Sequence, residues 1–292
     1  METNSNMQLP GFFPLAKETL KVYKDKWGTL ISLFLIIWAI PILATAIAIA
    51  LAAVARLAAV PAISFTVIAG IAIIVILCLG IAWINAAAII AVKERQSAIR
   101  FLELLRRAKS KMFAYLWVNI LGGVAVAAGL IFFALPGIII AVWIFAAGII
   151  AVTEDKKGIA ALAQSHEYAR GNFLKIFLLS ATGMFLFFCF NWIVEAIGNN
   201  LIESLAALAI MPLPIIFSYL IFEKLKLIKG DLPAPTFGQK NFFRAAAAIG
   251  SAIVILLAAL AINFAPQIKQ EYEIMRLQYQ METGQELPRL PI

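Results

Sequence analysis

Seven long apolar segments alternate with short polar stretches along the chain. The segments cover about residues 30–55, 63–92, 112–135, 137–153, 173–197, 205–222 and 243–266. Most of them approach or exceed the ~20 apolar residues that an α-helix needs to cross the hydrocarbon core of a bilayer. The pattern therefore predicts an all-α, polytopic transmembrane helical bundle.

Three of the polar stretches carry apolar residues at helical spacing. Such amphipathic helices lie in the membrane interface or cap a bundle. In the third stretch, Gln164, Glu167 and Arg170 are expected on the polar face. The predicted apolar stripes are Ala16, Leu20, Tyr23 and Trp27; then Ala98, Phe101, Leu102, Leu105 and Ala108; then Ile159, Leu162, Ala163, Ala169 and Phe173.

Each amphipathic stretch precedes a pair of apolar segments that we expect to form a helical hairpin. The predicted turns lie near Arg56 to Pro61, at Leu135-Pro136-Gly137 and near Gly198-Asn199-Asn200. Gly, Pro and Asn are the residues that most often interrupt helices in this way. The chain is thus interpreted as three repeats of an interfacial amphipathic helix plus a helical hairpin, with an added C-terminal span.

These elements divide the chain into five parts. We predict an N-terminal cytoplasmic amphipathic segment (1–28), a six-span membrane core (29–228), a cytoplasmic linker (229–242), a seventh transmembrane helix (243–266) and a polar tail (267–292). The linker is rich in Gly and Pro between Gly230 and Pro235. Within the tail, residues 270–281 are compatible with a helix.

The Lys and Arg residues fall almost entirely on one side of the predicted membrane. Only Arg56, Lys269, Arg276 and Arg289 are expected on the other side. Basic residues concentrate in cytoplasmic loops, so this bias places the N-terminus in the cytoplasm and the C-terminus outside, in a bacterial-type plasma membrane. The predicted cytoplasmic set is Lys17, Lys21, Lys24, Lys26, Lys93, Arg95, Arg100, Arg106, Arg107, Lys109, Lys111, Lys156, Lys157, Arg170, Lys175, Lys224, Lys226, Lys229, Lys240 and Arg244.

Composition supports a membrane protein and suggests its partners. Of the 292 residues, 63% are hydrophobic, and a soluble globule would have to expose too much apolar surface. The net charge of +8 is compatible with nucleic-acid binding, but its surplus faces the anionic cytoplasmic leaflet. Membrane lipids are therefore favoured as partners over nucleic acid. The candidate lipid-contacting residues are Lys17, Lys21, Lys24, Arg100, Arg106 and Arg107.

Four polar residues within the predicted spans are candidates for a function. Asn85 and Asn119 are expected at similar depth, where they would hydrogen-bond across adjacent helices or contact a polar substrate; we favour the helix contact. Asn191 and Glu195 share a helix face. Glu195 either reaches the headgroup region, which we favour, or carries a proton in a transporter.

Prolines are predicted to interrupt two spans. Pro212 and Pro214 break the sixth apolar segment, and Pro41 interrupts the first. Discontinuous helices mark substrate sites in many transporters, but proline kinks are also common in membrane helices without such a role.

No motif for catalysis or metal binding is evident. His166 is the only histidine, and no nucleophile motif or ligand cluster accompanies it. Cys78 and Cys189 lie in separate predicted spans without metal or redox spacing. We expect a protein that is not an enzyme and has no cofactor.

One stretch carries a family resemblance. Leu135-Pro136-Gly137, Trp143, Thr153-Glu154 and Gly158 are followed by Ala161-Leu162, Ser165 and Arg170-Gly171-Asn172. This order resembles the glycerophosphoryl diester phosphodiesterase membrane-domain family and its YciC-like bacterial relatives. The likeness extends over residues 10 to 230 and leaves out the seventh span and the tail. It implies an integral membrane module, sometimes fused to a catalytic phosphodiesterase domain for which this chain has no room.

The leading functional hypothesis is a non-enzymatic membrane protein that engages anionic lipid or membrane-protein partners through its interfacial helices. The alternative is a transporter or permease for a small or lipid-derived substrate. The alternative requires a central polar cavity, whereas the first hypothesis requires exposed basic faces at the membrane surface.

Overall fold

The computed structural model describes residues 8–57, 62–97 and 99–283. In these ranges the regular structure consists of α-helices. They are α1 (Phe12–Leu57), α2 (Ala62–Lys93), α3 (Phe101–Phe132), α4 (Ala134–Trp143), α5 (Ala147–Thr153), α6 (Ile159–Ala169), α7 (Phe173–Glu195), α8 (Asn200–Ile210), α9 (Leu213–Lys229) and α10 (Phe237–Thr283).

The helices provide seven segments that are long and apolar enough to cross a membrane, so the predicted all-α transmembrane bundle is confirmed. The fourth span combines α4 with α5, and the sixth combines α8 with α9. The seven segments are Phe12–Ala50, Ala69–Lys93, Phe101–Ile131, Ala134–Thr153, Phe173–Glu195, Asn200–Lys229 and Phe237–Leu260.

The first two amphipathic segments are continuous with the spans that follow them. In α1 the only non-helical backbone lies at Lys26, with φ −121° and ψ 15°, where the amphipathic part meets the span. The prediction that Pro41 interrupts the first span is wrong, because α1 passes through it. A proline within a membrane helix is tolerated when the freed backbone groups find partners. The proline removes the hydrogen bond to the carbonyl of residue 37, four positions earlier. One turn after the proline, the Thr45 hydroxyl donates to the Pro41 carbonyl at 2.8 Å.

The second hairpin turns earlier than expected. Phe133 has extended backbone, and Leu135-Pro136-Gly137 belong to the first turn of α4. The two arms then approach closely, because a Cβ atom on Gly129 would lie 2.8 Å from the Gly137 Cα. The turn after α7 is where it was predicted, with Gly198 at φ 67°. The Asn199 side chain caps α8 by accepting from the backbone N–H groups of residues 201 and 202.

Several predicted features lie outside the described residues. These are residues 58–61 of the first turn, Ala98 of the second stripe, and the end of the tail including Arg289.

The fourth and sixth spans are both discontinuous. α8 and α9 are separated at Met211 and Pro212, as the prolines predicted. The break between α4 and α5 was not predicted, because no proline marks it. There the buried backbone N–H of Ala146 donates to the Ser165 hydroxyl of α6 at 3.1 Å. The tertiary partner therefore satisfies a backbone donor at the point where the helix is interrupted.

The last span begins earlier and continues further than predicted. α10 starts at Phe237 inside the expected linker and runs for 47 residues, including Pro266. At 1.5 Å per residue it extends about 70 Å, which exceeds the thickness of a bilayer core. The predicted span and the helical part of the tail are thus one continuous helix.

The helices pack most tightly around α3. The α1–α2 hairpin lies against it through α2, α4 and α5 return along it, and α10 packs on another side. α9 packs against α1 and α2. The α2–α3 contact includes a hydrogen bond of 2.8 Å from the Trp83 indole N–H to the Leu105 carbonyl.

α6 differs from the first two amphipathic segments. It contacts α3, α4, α5, α9 and α10, and residues from Ala161 to Ser165 are buried together with Tyr168 and Ala169. Gln164, expected on the polar face, is fully buried. This helix is therefore enclosed by the bundle, which corresponds to the second predicted arrangement, a helix that caps the bundle. The prediction that Gln164 lies on a polar face is wrong.

Candidate functional site at the charged end of the bundle

The C-terminal end of α9 is the centre of a network of ion pairs. The Arg95 guanidinium, between α2 and α3, donates two hydrogen bonds of 3.1 and 3.0 Å to the Glu223 carboxylate. The Lys224 ammonium lies 3.0 Å from Glu18 of α1. The Lys226 ammonium lies 2.7 Å from Glu154 at the end of α5. Neighbouring residues of α9 therefore connect three different parts of the chain.

Lysines also bind backbone carbonyls that terminate helices. The Lys229 ammonium donates to the carbonyls of Glu167 and Arg170 at the end of α6, at 2.6 and 2.5 Å. The Lys93 ammonium donates to the Thr153 carbonyl at the end of α5 at 3.1 Å. The carbonyls at the C-terminus of a helix lack intrahelical partners, so cations stabilise them.

Two further contacts extend the network to α1 and α3. The Lys26 ammonium, at the kink of α1, donates to the Ser97 carbonyl at 3.0 Å. Lys111 of α3 pairs with Asp155, and this ammonium holds the pKa of the Asp155 carboxyl below its usual value. Residues that the charge pattern assigned to one side of the membrane thus meet at one end of the bundle, here called the charged end.

The bidentate Arg95–Glu223 ion pair is well shielded from solvent. Its side chains are only 22% and 28% exposed. The hydrogen bond to Glu223 raises the pKa of the Arg95 guanidinium above its already high ordinary value. A guanidinium and a carboxylate in this arrangement form a strong, orientation-specific contact.

His166 belongs to an aromatic cluster rather than to a ligand set. Its ring packs edge-on against Trp143 of α4, with centroids 4.7 Å apart, and lies near Phe243 of α10. Its Nδ1 is 3.4 Å from the Glu167 carboxylate. Burial lowers the pKa of the His166 imidazole. Among the described residues, no group of three or more His, Cys, Asp or Glu side chains is arranged to hold a metal ion.

A second set of basic side chains at the charged end does not take part in the ion-pair network. Lys17, Lys21, Lys24, Arg100 and Arg106 are exposed, and none pairs with a carboxylate within the part of the chain that the structure describes. Arg107 differs from the other predicted lipid contacts. Its guanidinium lies 3.1 Å from Glu94 and 2.5 Å from Glu103.

On α1 the unpaired lysines are interleaved with large exposed apolar side chains. Phe13, Leu20 and Trp27 are 84%, 57% and 60% exposed. At 100° per residue they share one helix face with Lys17 and Lys24. The bundle instead receives the opposite face, with Leu15, Thr19 and Val22 buried. The predicted apolar stripe therefore lies partly on the outside of the protein.

The first turns of α3 show the same arrangement. Leu102, Phe113 and Trp117 are 78%, 66% and 56% exposed, and Arg106 shares their helix face. Lys109 also lies on this face and is exposed. Lys109 was predicted on the cytoplasmic side but not as a lipid contact, although its spacing of seven from Leu102 indicates the same helix face.

The predicted arginines of this region line an open cleft of about 980 Å³. Its walls are formed by Arg100, Phe101, Leu102, Glu103, Arg106 and Arg107. A smaller cleft of about 480 Å³ lies beside Lys175, between the N-terminal segment and α7.

The asparagines within the second and third spans do not bond to each other. The Asn85 amide donates to the Ile81 carbonyl at 2.7 Å, and the Asn119 amide donates to the Tyr115 carbonyl at 2.8 Å. The prediction of an interhelical hydrogen bond is therefore wrong. Bonding to the carbonyl four residues back engages one N–H of each amide within its own helix.

Asn191 and Glu195 lie near the other end of the bundle. The Asn191 amide donates to the Phe187 carbonyl at 2.8 Å, and both Glu195 and Glu203 are exposed. The structure thus places Glu195 on the outside of the helix bundle.

Comparison with known proteins adds no identification. No protein-family profile, curated protein or solved structure matches the chain.

Proposed function

We propose that this multi-pass membrane protein is non-enzymatic and engages anionic lipid of the cytoplasmic leaflet through the exposed faces of α1 and α3. One observation carries the proposal: at the charged end, exposed cations without carboxylate partners alternate with exposed Phe, Leu and Trp side chains. Such a face inserts its apolar groups among the lipids while its cations meet the headgroups.

The division of the charges supports this function. Basic residues that stabilise the fold bind carboxylates or helix-terminal carbonyls, as Arg95 and Lys229 do. Lys17, Lys24 and Arg106 have no such role in the described structure. Each basic residue near an anionic surface contributes about 1 kcal/mol, or roughly a fivefold change in partitioning.

The proposed orientation has the N-terminus in the cytoplasm and the C-terminus outside, in a bacterial-type plasma membrane. The meeting of the basic helix ends at one end of the bundle supports a common side for them. The positive-inside bias assigns that side to the cytoplasm. The test is a fusion, after residue 292, to a reporter enzyme that works only in the cytoplasm. Activity of that fusion would contradict this orientation.

The family assignment is part of the proposal. The Pro-Gly motif before Trp143 and the Ala-Leu-x-x-Ser sequence of α6 are its support. We propose a membrane module of the glycerophosphoryl diester phosphodiesterase membrane-domain type, acting on membrane organisation without hydrolysing a substrate.

The test uses the full-length protein in vesicles that contain a zwitterionic and an anionic phospholipid. Polymer-bounded discs are cut from the vesicles, and the lipids retained around the protein are quantified by mass spectrometry. Wild type is expected to enrich the anionic lipid. The variant Lys17→Gln/Lys24→Gln should lose most of that enrichment, since two charges contribute about 2 kcal/mol at most.

A matched variant, Lys17→Arg/Lys24→Arg, keeps both charges and should retain the enrichment. A further variant, Phe13→Ser/Leu20→Asn, keeps the charges and removes apolar insertion, so it should weaken retention of both lipids equally. Identical enrichment in wild type and Lys17→Gln/Lys24→Gln would overturn the proposal. If discs cut from native membranes instead retain another membrane protein with wild type but not with the Gln variant, and lipid enrichment is the same for both, these faces bind a membrane-protein partner.

The transporter hypothesis is favoured by a different observation, the paired breaks in the fourth and sixth spans. Short interrupted segments in corresponding positions of a repeat are a mark of transporter sites. Substrate uptake into vesicles that is abolished by Asn85→Ala or Asn119→Ala would support that function. Uptake unaffected by these changes would remove the role proposed for both asparagines.

A further inference from the structure

The two exposed basic faces differ in the type of cation they carry. The face of α1 has lysines, Lys17, Lys21 and Lys24, whereas the cleft at the start of α3 has arginines, Arg100, Arg106 and Arg107. Lysine acts as a mobile point charge. Arginine presents a planar fork of N–H donors that matches two oxygens of one phosphate group.

The carboxylates near the cleft are engaged by one arginine. Arg107 binds Glu94, 3.1 Å away, and Glu103, 2.5 Å away. Neither carboxylate forms an ion pair with Arg100 or Arg106 in the described structure. Arg107 thereby leaves two guanidinium groups of the cleft available to an external anion.

The surroundings of the cleft suit a ligand with a lipid tail. Leu102 forms part of its wall and is 78% exposed. Further along the same helix face, Phe113 and Trp117 are also exposed and lead into the membrane span. Aromatic residues at this depth are typical of the headgroup level.

We infer that the α3 cleft is a discrete site for a phospholipid with a terminal phosphomonoester, bound by Arg100 and Arg106. A phosphomonoester carries a charge of about −1.5 to −2 near neutral pH, which matches two unpaired guanidinium groups better than a phosphodiester of −1 does. This inference rests on the proposed function, because it uses the same membrane-facing end, but it adds headgroup selectivity that diffuse attraction by lysines does not supply.

The experiment compares phosphatidic acid with phosphatidylglycerol. Full-length protein is placed in two kinds of disc, one containing phosphatidic acid and the other phosphatidylglycerol, with equal surface charge. The anionic lipid retained per protein is measured in each. We expect wild type to prefer phosphatidic acid by about tenfold, equivalent to about 1.4 kcal/mol. The charge-conserving variant Arg100→Lys/Arg106→Lys should bring the preference below about threefold, because ammonium groups lack the bidentate fork.

The control is Arg244→Lys, the same exchange at an exposed arginine outside the cleft, which should leave the preference unchanged. Thermal unfolding verifies that each variant is folded. An equal preference in wild type and Arg100→Lys/Arg106→Lys overturns the discrete site. In that case general enrichment of anionic lipid still stands, so failure of this inference is distinguishable from failure of the proposed function.

A competition experiment with a soluble compound distinguishes a lipid ligand from a free phosphate compound. Glycerol 3-phosphate carries the same phosphomonoester without acyl chains, and its competition against phosphatidic acid is measured with wild type. A lipid ligand is supported if half-displacement of phosphatidic acid needs glycerol 3-phosphate at about a hundredfold or more above the lipid concentration. The acyl contacts then contribute about 2.8 kcal/mol. Competition at equal concentration overturns the lipid assignment and identifies a soluble phosphomonoester.

Discussion

α6 and the N-terminal part of α1 have similar amphipathic sequences but opposite surroundings. In α6 most of the apolar stripe is buried among five other helices. Gln164, which was predicted on the polar face, is buried there too. In α1 part of the apolar stripe, including Leu20 and Trp27, is exposed beside unpaired lysines. The same periodicity thus produced a core element in one place and an element with an exposed apolar face in the other.

The difference shows what an amphipathic pattern specifies. It determines that one helix face avoids water, but a protein interior and a lipid layer both satisfy that requirement. α6 is joined on both sides by short connections to membrane spans, and Lys229 and Gln239 approach it from α9 and α10. Those tertiary contacts, rather than the composition of α6, decide that it is enclosed.

The largest expected effect comes from a cavity in α6. Leu162 is fully buried, so Leu162→Ala should lower the free energy of unfolding by about 2–5 kcal/mol. Leu102→Ala, at an exposed position of α3, should change it by less than about 0.5 kcal/mol. Denaturant unfolding in a mild detergent measures both. Similar losses in the two variants would show that α6 is no better packed than the exposed face.

The next largest difference is expected between a half-buried and an exposed ion pair elsewhere at the charged end. The half-buried Arg95–Glu223 contact is expected to have a coupling energy of about 1–2 kcal/mol, between the values for exposed and buried pairs. The exposed Arg107–Glu103 pair, with side chains 49% and 48% exposed, should give about 0.5 kcal/mol or less. Double-mutant cycles with alanine at each position measure the couplings. A larger coupling for Arg107–Glu103 would contradict the assigned difference.

Gln164 offers a change in the stabilising direction. Both polar atoms of its buried side chain lack a hydrogen-bond partner in the described structure. Replacement by an apolar side chain of similar length removes that cost, so Gln164→Met should stabilise the protein by about 1 kcal/mol. Gln96→Met, at an exposed position, is the matched control and should have no comparable effect. Destabilisation by Gln164→Met would indicate that the amide has a partner such as a buried water.

The smallest predicted effect is a pH dependence at α6. Burial lowers the pKa of His166 below its ordinary value of 6.5, despite the nearby carboxylate of Glu167. The unfolded chain therefore binds the proton more readily, so stability is complete above about pH 6.5 and declines as the pH falls below it. Arg170 and Lys229 also face this histidine and oppose its protonation.

Thermal unfolding between pH 7.5 and pH 5 tests this dependence, with wild type compared to His166→Gln. The histidine contribution should vanish in the variant, which leaves a flatter decline. Parallel pH profiles would show that other groups account for the loss. An exposed segment such as the start of α1 has no corresponding histidine, so the effect is specific to the enclosed helix.

Much of the architecture was predictable from local patterns. The apolar segments indicated seven spans, the turn at Gly198-Asn199 was marked by its residues, and the proline pair predicted the α8–α9 break. Lys17, Lys24 and Arg106 were identified as exposed basic candidates because the charge bias depends only on sequence order. The break at Ala146 had no local signal, since the Ser165 hydroxyl that accepts its N–H belongs to another helix.

The roles of individual charges were also beyond local pattern. Sequence grouped Arg107 with Arg106, yet the folded chain engages Arg107 with two carboxylates and leaves Arg106 unpaired. The Glu103 contact is an i, i+4 pair that the spacing could have indicated, whereas Glu94 comes near only after α2 and α3 have packed. Likewise, the pairing of Arg95 with Glu223 requires α9 to lie against α2, which no spacing in the sequence announces.

The sequence by itself determined that the chain is a helical membrane protein and that most of its basic residues gather at one end of the bundle. Hydrophobic length and charge bias act segment by segment, because each span must satisfy the bilayer on its own. The tertiary structure alone decided which amphipathic helix is enclosed and which cations remain available to a ligand. Those outcomes depend on contacts between distant segments, and such contacts exist only once the helices have packed together.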